Sequence, residues 1–276
     1  MQDEKKSIKP IFRWAGSKRR LIPTLLSLSP KHFGRYIEPF FGSGCLFFAM
    51  SPKNAILGDI NEELITAYKT LRDAPEILAE ILSLMPLNER FYYDLRAKHP
   101  SHLAPLDRTA RFIYLNRYCF NGVYRTNRDG LFNVPRGKKT GKLPSLSEIT
   151  TVAKTLCHAN LFSGDFENCV KEAIDGDFVY LDPPYTTSGV RDRGEYGPGS
   201  FSRNELPRLI TTLQMLTEKS VKVLLSYSDT SAVHALIDQG WYMKTIQVQR
   251  SVAGFANKRS CVPEIILANY DFSCTQ

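Results

Sequence analysis

The residues best suited to chemistry are Asp182, Pro183, Pro184 and Tyr185, which follow one another in the chain. They come directly after residues 177–181, a short apolar run that is typical of a buried strand. In open α/β sheets, ligands bind beyond the carboxyl ends of the strands. Two prolines would stiffen this turn, so that a carboxylate, two carbonyls and an aromatic face keep one arrangement. Such acceptors beside a flat ring suit an exocyclic amino group on a planar heterocycle; the alternative is an ordinary turn with a buried tyrosine.

Two earlier strands also end in residues that could bind a ligand. The glycine turn Gly42-Ser43-Gly44 follows a strand whose end is predicted at 36–38, and Asp59 ends a strand at 55–59. The turn does not match the Gly-x-Gly-x-x-Gly dinucleotide pattern, but glycine allows a close backbone approach. A carboxylate at the end of the second strand can accept hydrogen bonds from both ribose hydroxyls. These features favour an adenosine-containing ligand without a pyrophosphate, whereas their structural alternatives are a tight turn and a helix cap.

A third group of candidate residues lies near the N-terminus, at positions 12–18. It combines an aromatic ring, a glycine and a lysine, Trp14, Gly16 and Lys18. Lys18 could hold a ligand carboxylate. The alternative is a solvated lysine in a basic segment, because Arg19 and Arg20 follow it.

The net charge of the 276-residue chain is +8, which favours a polyanionic partner because cationic side chains release the counterions of phosphates. A basic protein without such a partner is the alternative. The six cysteines show no Cys-x-x-Cys spacing, which argues against a zinc site and a disulfide framework, and no metal is expected. No apolar signal core or membrane-spanning run is visible, and we expect a cytoplasmic protein.

Strands and helices alternate in the first and last thirds of the chain. This pattern predicts an α/β fold with a mostly parallel sheet, in which the strands near 245–250 and 264–270 form an antiparallel hairpin. A further helix is predicted at 202–216, with Ser202 and Glu205 as a capping box. The intervening stretch is helical and then turn-rich and basic. We therefore predict a catalytic domain at 1–66 and 151–276 and an inserted domain at 67–150 that ends in a basic loop.

Together, these motifs resemble a known family. Trp-Ala-Gly-x-Lys, Glu-Pro-Phe-x-Gly-x-Gly, a strand ending in Asp-Ile-Asn, and Asp-Pro-Pro-Tyr are similar to the Dam-type (D12 class, alpha group) DNA adenine-N6 methyltransferases. Residues 114–118, Asn121-Gly122, Arg125 and 132–135 resemble the recognition domain of that family. The motifs occur in the order of the family from residue 12 to about 270.

The resemblance implies a Rossmann-like methyltransferase sheet and S-adenosylmethionine as the cofactor, with S-adenosylhomocysteine as its product. Lys18 would meet the methionine carboxylate, Asp59 the ribose and Asp165 the adenine ring. The expected cofactor residues are Trp14, Ala15, Gly16, Lys18, Glu38, Pro39, Phe40, Gly42, Ser43, Gly44, Asp59, Ile60, Asp165, Phe166 and Asp182. The expected catalytic residues are Asp182, Pro183, Pro184 and Tyr185, with the target adenine flipped out of the duplex onto Tyr185.

The resemblance also implies a surface that reads double-stranded DNA, with GATC as the leading target sequence. Arg125 is the candidate base reader, Val123 and Pro135 are candidate apolar contacts, and Phe120 and Tyr124 are candidate wedges between base pairs. The packing of both rings within the loop is the alternative. The expected DNA-binding residues are Arg117, Phe120, Asn121, Val123, Tyr124, Arg125, Asn133, Pro135, Arg136, Lys138, Lys139, Arg250, Lys258 and Arg259.

Three other functions remain open from the sequence. The same chemistry could act on cytosine N4 or on RNA, and the modified base would discriminate between them. A catalytically idle DNA-binding protein would have no need of the Asp182–Tyr185 motif. A small-molecule methyltransferase would leave the basic insert unexplained. A role in restriction-modification is one expectation, and a phage or a housekeeping role is the alternative. Action as a monomer without an obligate protein partner is also expected.

Overall fold

The computed structural model describes residues 8–127, 129–138, 140–185, 201, 205–249 and 261–275. Within them the strands are β1 (Tyr36–Glu38), β2 (Ala55–Asp59), β3 (Ala159–Ser163), β4 (Phe178–Leu181), β5 (Lys222–Ser228), β6 (Tyr242–Gln249) and β7 (Cys261–Ala268). The α-helices are α1 (Ile22–Leu28), α2 (Cys45–Met50), α3 (Glu62–Asp73), α4 (Pro75–Leu84), α5 (Glu89–Ala97), α6 (Pro105–Tyr118), α7 (Leu146–Leu156), α8 (Phe166–Val170), α9 (Leu206–Glu218) and α10 (Ser231–His234).

The strands form one seven-stranded sheet in the order β3-β2-β1-β4-β5-β7-β6. Strand β7 is antiparallel to both of its neighbours, β5 and β6, and the other pairs are parallel. The predicted Rossmann-like sheet with one antiparallel strand is therefore confirmed. The chain builds outward from β1 to β3 and then restarts beside β1 with β4, so the strand order reverses between β1 and β4. Ligands bind at this switch point in open α/β sheets.

Buried side chains cover both faces of the sheet. Along β4, Phe178 and Tyr180 belong to the core cluster that includes α1, α2 and α3, whereas Val179 and Leu181 belong to the cluster that includes α8 and α9. Alternate residues of a strand point to opposite faces. A strand buried on both sides has no polar face, which explains the continuous apolar run that predicted it.

The helical stretch between β2 and β3 packs into the first of these two clusters. Tyr92 of α5, Phe112 of α6 and Ile149 of α7 share that cluster with residues of the sheet. The predicted domain boundaries at 66/67 and 150/151 fall within α3 and α7. The division into a catalytic and an inserted domain thus remains a prediction.

Two helices were not predicted from the sequence, and one predicted helix is described in part. Helix α7 was not predicted, although Ser145 and Glu148 form the capping box that marks its start. Helix α5, capped by Asn88, was also missed. Helix α9 is described from Leu206, and its N-cap residue, Glu205, makes no side-chain cap. Ser202, the other half of the predicted capping box, lies outside the described residues. Pro207 lies in the first turn of α9, where its missing N–H would have no helical partner.

Candidate active site

Three candidate acidic residues lie at one edge of the sheet. Glu38 ends β1, Asp59 ends β2 and Asp182 follows β4 directly. These strands are parallel neighbours in the order β2-β1-β4, so their carboxyl ends meet at the same edge. The structure therefore brings together motifs that are far apart in the sequence.

The glycine turn after β1 is tightly packed against the N-terminal motif. Gly42 and Gly44 adopt positive φ values of 46° and 62°, which side chains rarely adopt. A Cβ on Gly42 would lie 2.7 Å from Cδ1 of Trp14. Between the two glycines, the buried Ser43 hydroxyl donates to the Ser17 hydroxyl at 3.3 Å. Glycine is thus required for both the backbone conformation and the close approach of Trp14.

Asp59 fastens this turn to the end of β2. One carboxylate oxygen accepts the Gly42 N–H at 2.9 Å, and the other accepts the Asn61 N–H at 2.9 Å. Burial raises the pKa of Asp59 to about 6, although these two hydrogen bonds oppose the shift. The neighbouring Ile60 keeps 45% of its surface exposed at this edge.

Glu38 is more deeply buried than Asp59, and its hydrogen-bond partner is a side chain. Its carboxylate accepts the Tyr36 hydroxyl at 2.8 Å. Burial raises the pKa of Glu38 well above its ordinary value. The adjoining Pro39 is also buried, so the start of the turn is a rigid, desolvated element.

Near Asp182, four side chains form a group that we call the carboxylate cluster: Lys18, Asp182, Tyr185 and Glu264. The buried Lys18 ammonium lies 3.0 Å from Oδ1 of Asp182 and 3.0 Å from Oε1 of Glu264. It also donates to the Tyr185 hydroxyl at 2.6 Å, and that hydroxyl donates to Oε1 of Glu264 at 2.7 Å. One ammonium is therefore shared between two carboxylates.

Burial and charge oppose each other in this cluster. Burial alone would lower the pKa of Lys18, but the charges of Asp182 and Glu264 and the hydrogen bonds to them outweigh it, and the pKa is raised. Lys18 therefore stays a cation. Burial, with a contribution from the charge of Glu264, raises the pKa of Asp182 to about 6 against the effect of Lys18. Asp182 is thus ionised near neutrality and loses its charge in mild acid.

The Tyr185 ring is held at its edge and over one face. It makes an edge-on contact with Tyr227 at a centroid distance of 5.6 Å, and the Lys18 ammonium lies 4.5 Å from its centroid. Pro183 is buried and Pro184 is half-buried between the strand and this ring. The stiffness of this turn, expected from the two prolines, remains a prediction.

Asp165 and Phe166 lie at the start of α8, after β3. Asp165 caps the helix by accepting the Glu167 N–H at 3.0 Å, and it also pairs with Arg208 of α9 at 2.8 Å. The Phe166 ring stacks on Phe40 with centroids 5.3 Å apart, so these two predicted cofactor residues are brought together. Arg208 was not predicted, and a lone arginine on an amphipathic helix gives no signal of this pairing.

The Lys18 ammonium already has two carboxylate partners in this structure, Asp182 and Glu264. Its expected contact with the methionine carboxylate of the cofactor remains a prediction. Ala15 and Gly16, from the same motif, lie half-buried and exposed, respectively. Lys18 therefore lies beside Asp182, at the end of β4.

Glu264 is the functional candidate that the sequence reasoning missed. It is a buried carboxylate at the start of an otherwise apolar run, Ile265 to Leu267. A charge in such a strand was the available signal, because buried charges are rare unless they are paired. Its partners are distant in the sequence, and only the fold reveals them.

Comparison with known proteins identifies the family. The family model described as D12 class N6 adenine-specific DNA methyltransferase matches residues 14–252. The chain belongs to this family. It is an adenine-specific DNA methyltransferase, as the motifs predicted.

Two of the similar proteins are methyltransferases by name. The chain is 35% identical to the Type II methyltransferase M1.LlaDCHI of Lactococcus lactis subsp. cremoris, over 98% of each chain. It is 28% identical to the DNA adenine methylase of Escherichia coli (strain K12), over 95% of each. Among solved structures, the delta-N METTL16 MTase domain aligns with a TM-score of 0.37 at 10% identity, covering 92% of this chain and 80% of that one.

The predicted DNA-reading residues of the methyltransferase lie mostly at 120–138, which we call the reading loop. Phe120 is 50% exposed, and Asn121 adopts a positive φ of 58° that turns the chain beside it. Other described members of the predicted set are exposed or half-buried: Val123, Arg125, Asn133, Pro135, Arg136 and Lys138. The Arg125 guanidinium donates to the side-chain oxygen of Asn133 at 3.3 Å.

Tyr124 does not fit the role of a wedge in this conformation of the methyltransferase. Its ring is buried and stacks on Trp14 at 5.4 Å, and its hydroxyl donates to Glu63. The Trp14 and Glu63 contacts bind it into the core between the N-terminal motif and α3. The packing alternative therefore applies to Tyr124, whereas the exposed Phe120 ring retains the wedge prediction.

Arg117 is also less available than predicted. It is half-buried at the end of α6, and one guanidinium nitrogen donates to the Ile11 carbonyl at 3.5 Å. Burial lowers its pKa, with a contribution from the nearby charge of Arg13. The other predicted phosphate contacts of the methyltransferase, Lys139, Arg250, Lys258 and Arg259, lie outside the described residues.

The described residues of the methyltransferase include neither a candidate membrane span nor a candidate metal-binding cluster. No helix there is both long and apolar enough to cross a membrane. No three His, Cys, Asp or Glu side chains there are grouped so that they could hold a metal ion.

Proposed function

We propose that this enzyme transfers a methyl group from S-adenosylmethionine to N6 of an adenine that is flipped out of double-stranded DNA. The observation that carries the proposal is the placement of Asp182 and Tyr185 at the same sheet edge as the glycine turn and Asp59. Membership of the family shows that the target is an adenine in DNA. The cofactor, the flipping of the base and the role of each residue are proposed.

The residues of the cofactor end fit an adenosine-containing ligand. The turn at Gly42 leaves no room for a Cβ, and Asp59 and Ile60 place a carboxylate beside an exposed apolar side chain. Asp59 would hold the ribose, and Phe40 with Phe166 would flank the adenine ring. When bound, S-adenosylmethionine supplies an electrophilic methyl group.

The catalytic end acts on the amino group of the target base. The Asp182 carboxylate and the Pro183 carbonyl accept the two N6 hydrogens, which localises the nitrogen lone pair that is otherwise delocalised into the ring. Tyr185 stacks on the flipped base, because a base inside a duplex cannot be reached. The chain forms no covalent intermediate, and catalysis rests on positioning and preorganised electrostatics.

Sequence recognition falls to the reading loop, and GATC is the proposed target. Arg125 would read a guanine through O6 and N7, a bidentate contact that arginine makes well. Val123 and Pro135 would contact bases, and Phe120 would enter the stack beside the target. Arg136 and Lys138 would contact phosphates, which positions the protein without reading sequence.

The biological setting is also a proposal. The name of the Lactococcus lactis relative, a Type II methyltransferase, supports a role in restriction-modification. We propose that the enzyme acts as a monomer in the cytoplasm.

Single-molecule sequencing of plasmid DNA from a methylation-free host tests the proposal. The host would express the wild-type chain or, as a matched control, Asp182→Ala. N6-methyladenine confined to GATC, and absent with the control, is the expected result. N6-methyladenine in another motif would overturn the target sequence alone. Unmodified DNA from soluble wild-type protein would overturn the enzymatic proposal in favour of an idle DNA-binding protein.

A further inference from the structure

Glu264 reaches the catalytic end because β7 runs against the other strands. It pairs with Ser228, the last residue of β5, and with Ile246 of β6. Since β7 is antiparallel, its early residues lie at the edge where the parallel strands end. Glu264 shares a face of β7 with Ile266 and Ala268, which pack in the same cluster as α1, α2 and α3. The Glu264 carboxylate therefore lies on the side of the sheet that α1, α2 and α3 cover, where it contacts Lys18.

One oxygen of the Glu264 carboxylate, Oε1, contacts two groups of the catalytic end. It accepts the Tyr185 hydroxyl at 2.7 Å and lies 3.0 Å from the Lys18 ammonium. The side chain of Glu264 is only 4% exposed, so water cannot readily replace it. Without Glu264, the Tyr185 hydroxyl would lose one of its hydrogen-bond partners and a buried ammonium would lose one of its two counter-charges.

We propose that Glu264 is a positioning residue for methyl transfer, whose carboxylate holds the Lys18 ammonium and the Tyr185 ring in place when the target adenine engages Asp182. The inference rests on the proposed function. Asp182 pairs with Lys18 in the structure described here, yet it must accept an amino hydrogen during the reaction. Glu264 keeps Lys18 neutralised while Asp182 turns to the substrate, and it fixes the ring on which the base stacks.

A purely stabilising role explains this arrangement poorly. Buried ion pairs contribute little to stability, because the desolvation penalty of the charges offsets their attraction. Two carboxylates that share one ammonium are less favourable than a simple pair, since the carboxylates repel each other. The charge of Glu264 indeed contributes to the raised pKa of Asp182. An arrangement with this cost is better explained by the geometry it imposes on Lys18 and Tyr185.

The test follows the ionisation of Asp182 with pH, and every charged or titratable group near Asp182 affects that ionisation. Among the described residues, the groups that face Asp182 are Lys18 from the N-terminal segment, Glu264 from β7, Tyr36 and Glu38 from β1, Tyr180 from β4, and Tyr185. The Glu264→Gln substitution removes one negative charge from this set of groups and leaves the other charges unchanged. Ionisation of Asp182 then becomes easier, so its pKa must fall.

The first measurement is the single-turnover rate of methyl transfer to duplex DNA against pH, for wild type and Glu264→Gln. Transfer requires ionised Asp182, so the wild-type rate should fall as the pH drops through the Asp182 pKa of about 6. For Glu264→Gln we expect this fall at a lower pH and a neutral-pH rate reduced about tenfold, because Lys18 and Tyr185 are less well placed.

Asp177→Asn is the matched control. Asp177 is buried and paired with Arg35 at 2.6 Å, and it precedes the same strand, β4, at the opposite end from Asp182. Asp177→Asn should lower the melting temperature without moving the acid limb. If Glu264→Gln behaves as this control does, with only its stability changed, the positioning role is wrong.

Two additions keep the test decisive. If Glu264→Gln does not fold, Glu264→Asp retains the charge but shortens the reach. It should keep the acid limb and lose rate, and an unchanged rate would contradict the proposal. The Asp182 carboxyl can also be titrated by ¹³C NMR without DNA. We expect a lower titration midpoint in Glu264→Gln than in wild type, even if the wild type methylates nothing. Absence of methylation by the wild type would overturn only the proposed function. Equal midpoints in the two proteins would overturn the inference about Glu264.

Discussion

The carboxylate cluster and the reading loop hold their polar side chains in opposite ways. In the cluster, Lys18 and Glu264 are buried and are joined by contacts of 2.6 to 3.0 Å through Asp182 and Tyr185. In the loop, Phe120 is half exposed, and Arg125 is held within the protein by a longer contact of 3.3 Å to Asn133. The groups assigned to chemistry are thus fixed before substrate arrives, whereas those assigned to recognition face solvent.

This difference matches the demands on the two regions. Methyl transfer presents the same atoms in every turnover, so a preorganised site avoids reorganisation during the reaction. Base recognition requires side chains that reach outward into a groove. Tyr124 marks the border, since it belongs to the loop by sequence but packs in the core against Trp14.

Asp182→Ala should have the largest effect on methyl transfer, and it tests the carboxylate cluster. Loss of the carboxylate removes an acceptor for the amino group, and we expect kcat to fall about a thousandfold. Glu264 still pairs Lys18, so the protein should remain folded. Radiolabelled methyl transfer measures the loss, and thermal unfolding provides the control. Near-wild-type activity would show that Asp182 is not catalytic.

Tyr185 allows the ring and the hydroxyl to be separated. Tyr185→Ala removes the stacking surface, which is worth about 1–3 kcal/mol per base. Tyr185→Phe keeps the ring but loses the hydrogen bond to Glu264. We therefore expect a greater loss of kcat/KM for alanine than for phenylalanine. Equal losses in steady-state assays would place the contribution of Tyr185 in its hydroxyl rather than in stacking.

Arg125→Ala tests the other side of the comparison. Because the loss concerns one base contact, we expect relaxed specificity at one position, by about 1–3 kcal/mol, with methyl transfer chemistry intact. The relative kcat/KM on cognate and single-substitution duplexes measures it. A uniform loss on all duplexes would assign Arg125 to phosphate contact instead.

Lys138→Ala should have the smallest effect. Lys138 is exposed on the reading loop, and a lost phosphate contact should weaken binding on every sequence alike. Fluorescence anisotropy at several salt concentrations should show the salt slope reduced by about one. An unchanged slope would remove Lys138 from the DNA surface.

The elements with strong local signals were predicted well. The apolar runs at β2 and β4, and the glycine turn between β1 and α2, were placed correctly because burial on both faces and tight turns leave a local mark. Helices α5 and α7 were missed although their caps were visible. Of the two proposed wedges, exposure separated Phe120 from Tyr124, and the loop composition could not.

The sequence by itself determined the family and the alternation that builds the sheet, because each rests on neighbouring residues. Only the tertiary structure decided that Glu264 contacts Tyr185 and that Lys18 lies between two carboxylates. Lys18 and Glu264 lie 167 and 79 positions from Tyr185 in the chain. The antiparallel direction of β7 brings Glu264 to the edge where β4 ends, and its charge there acquires partners that no local pattern encodes.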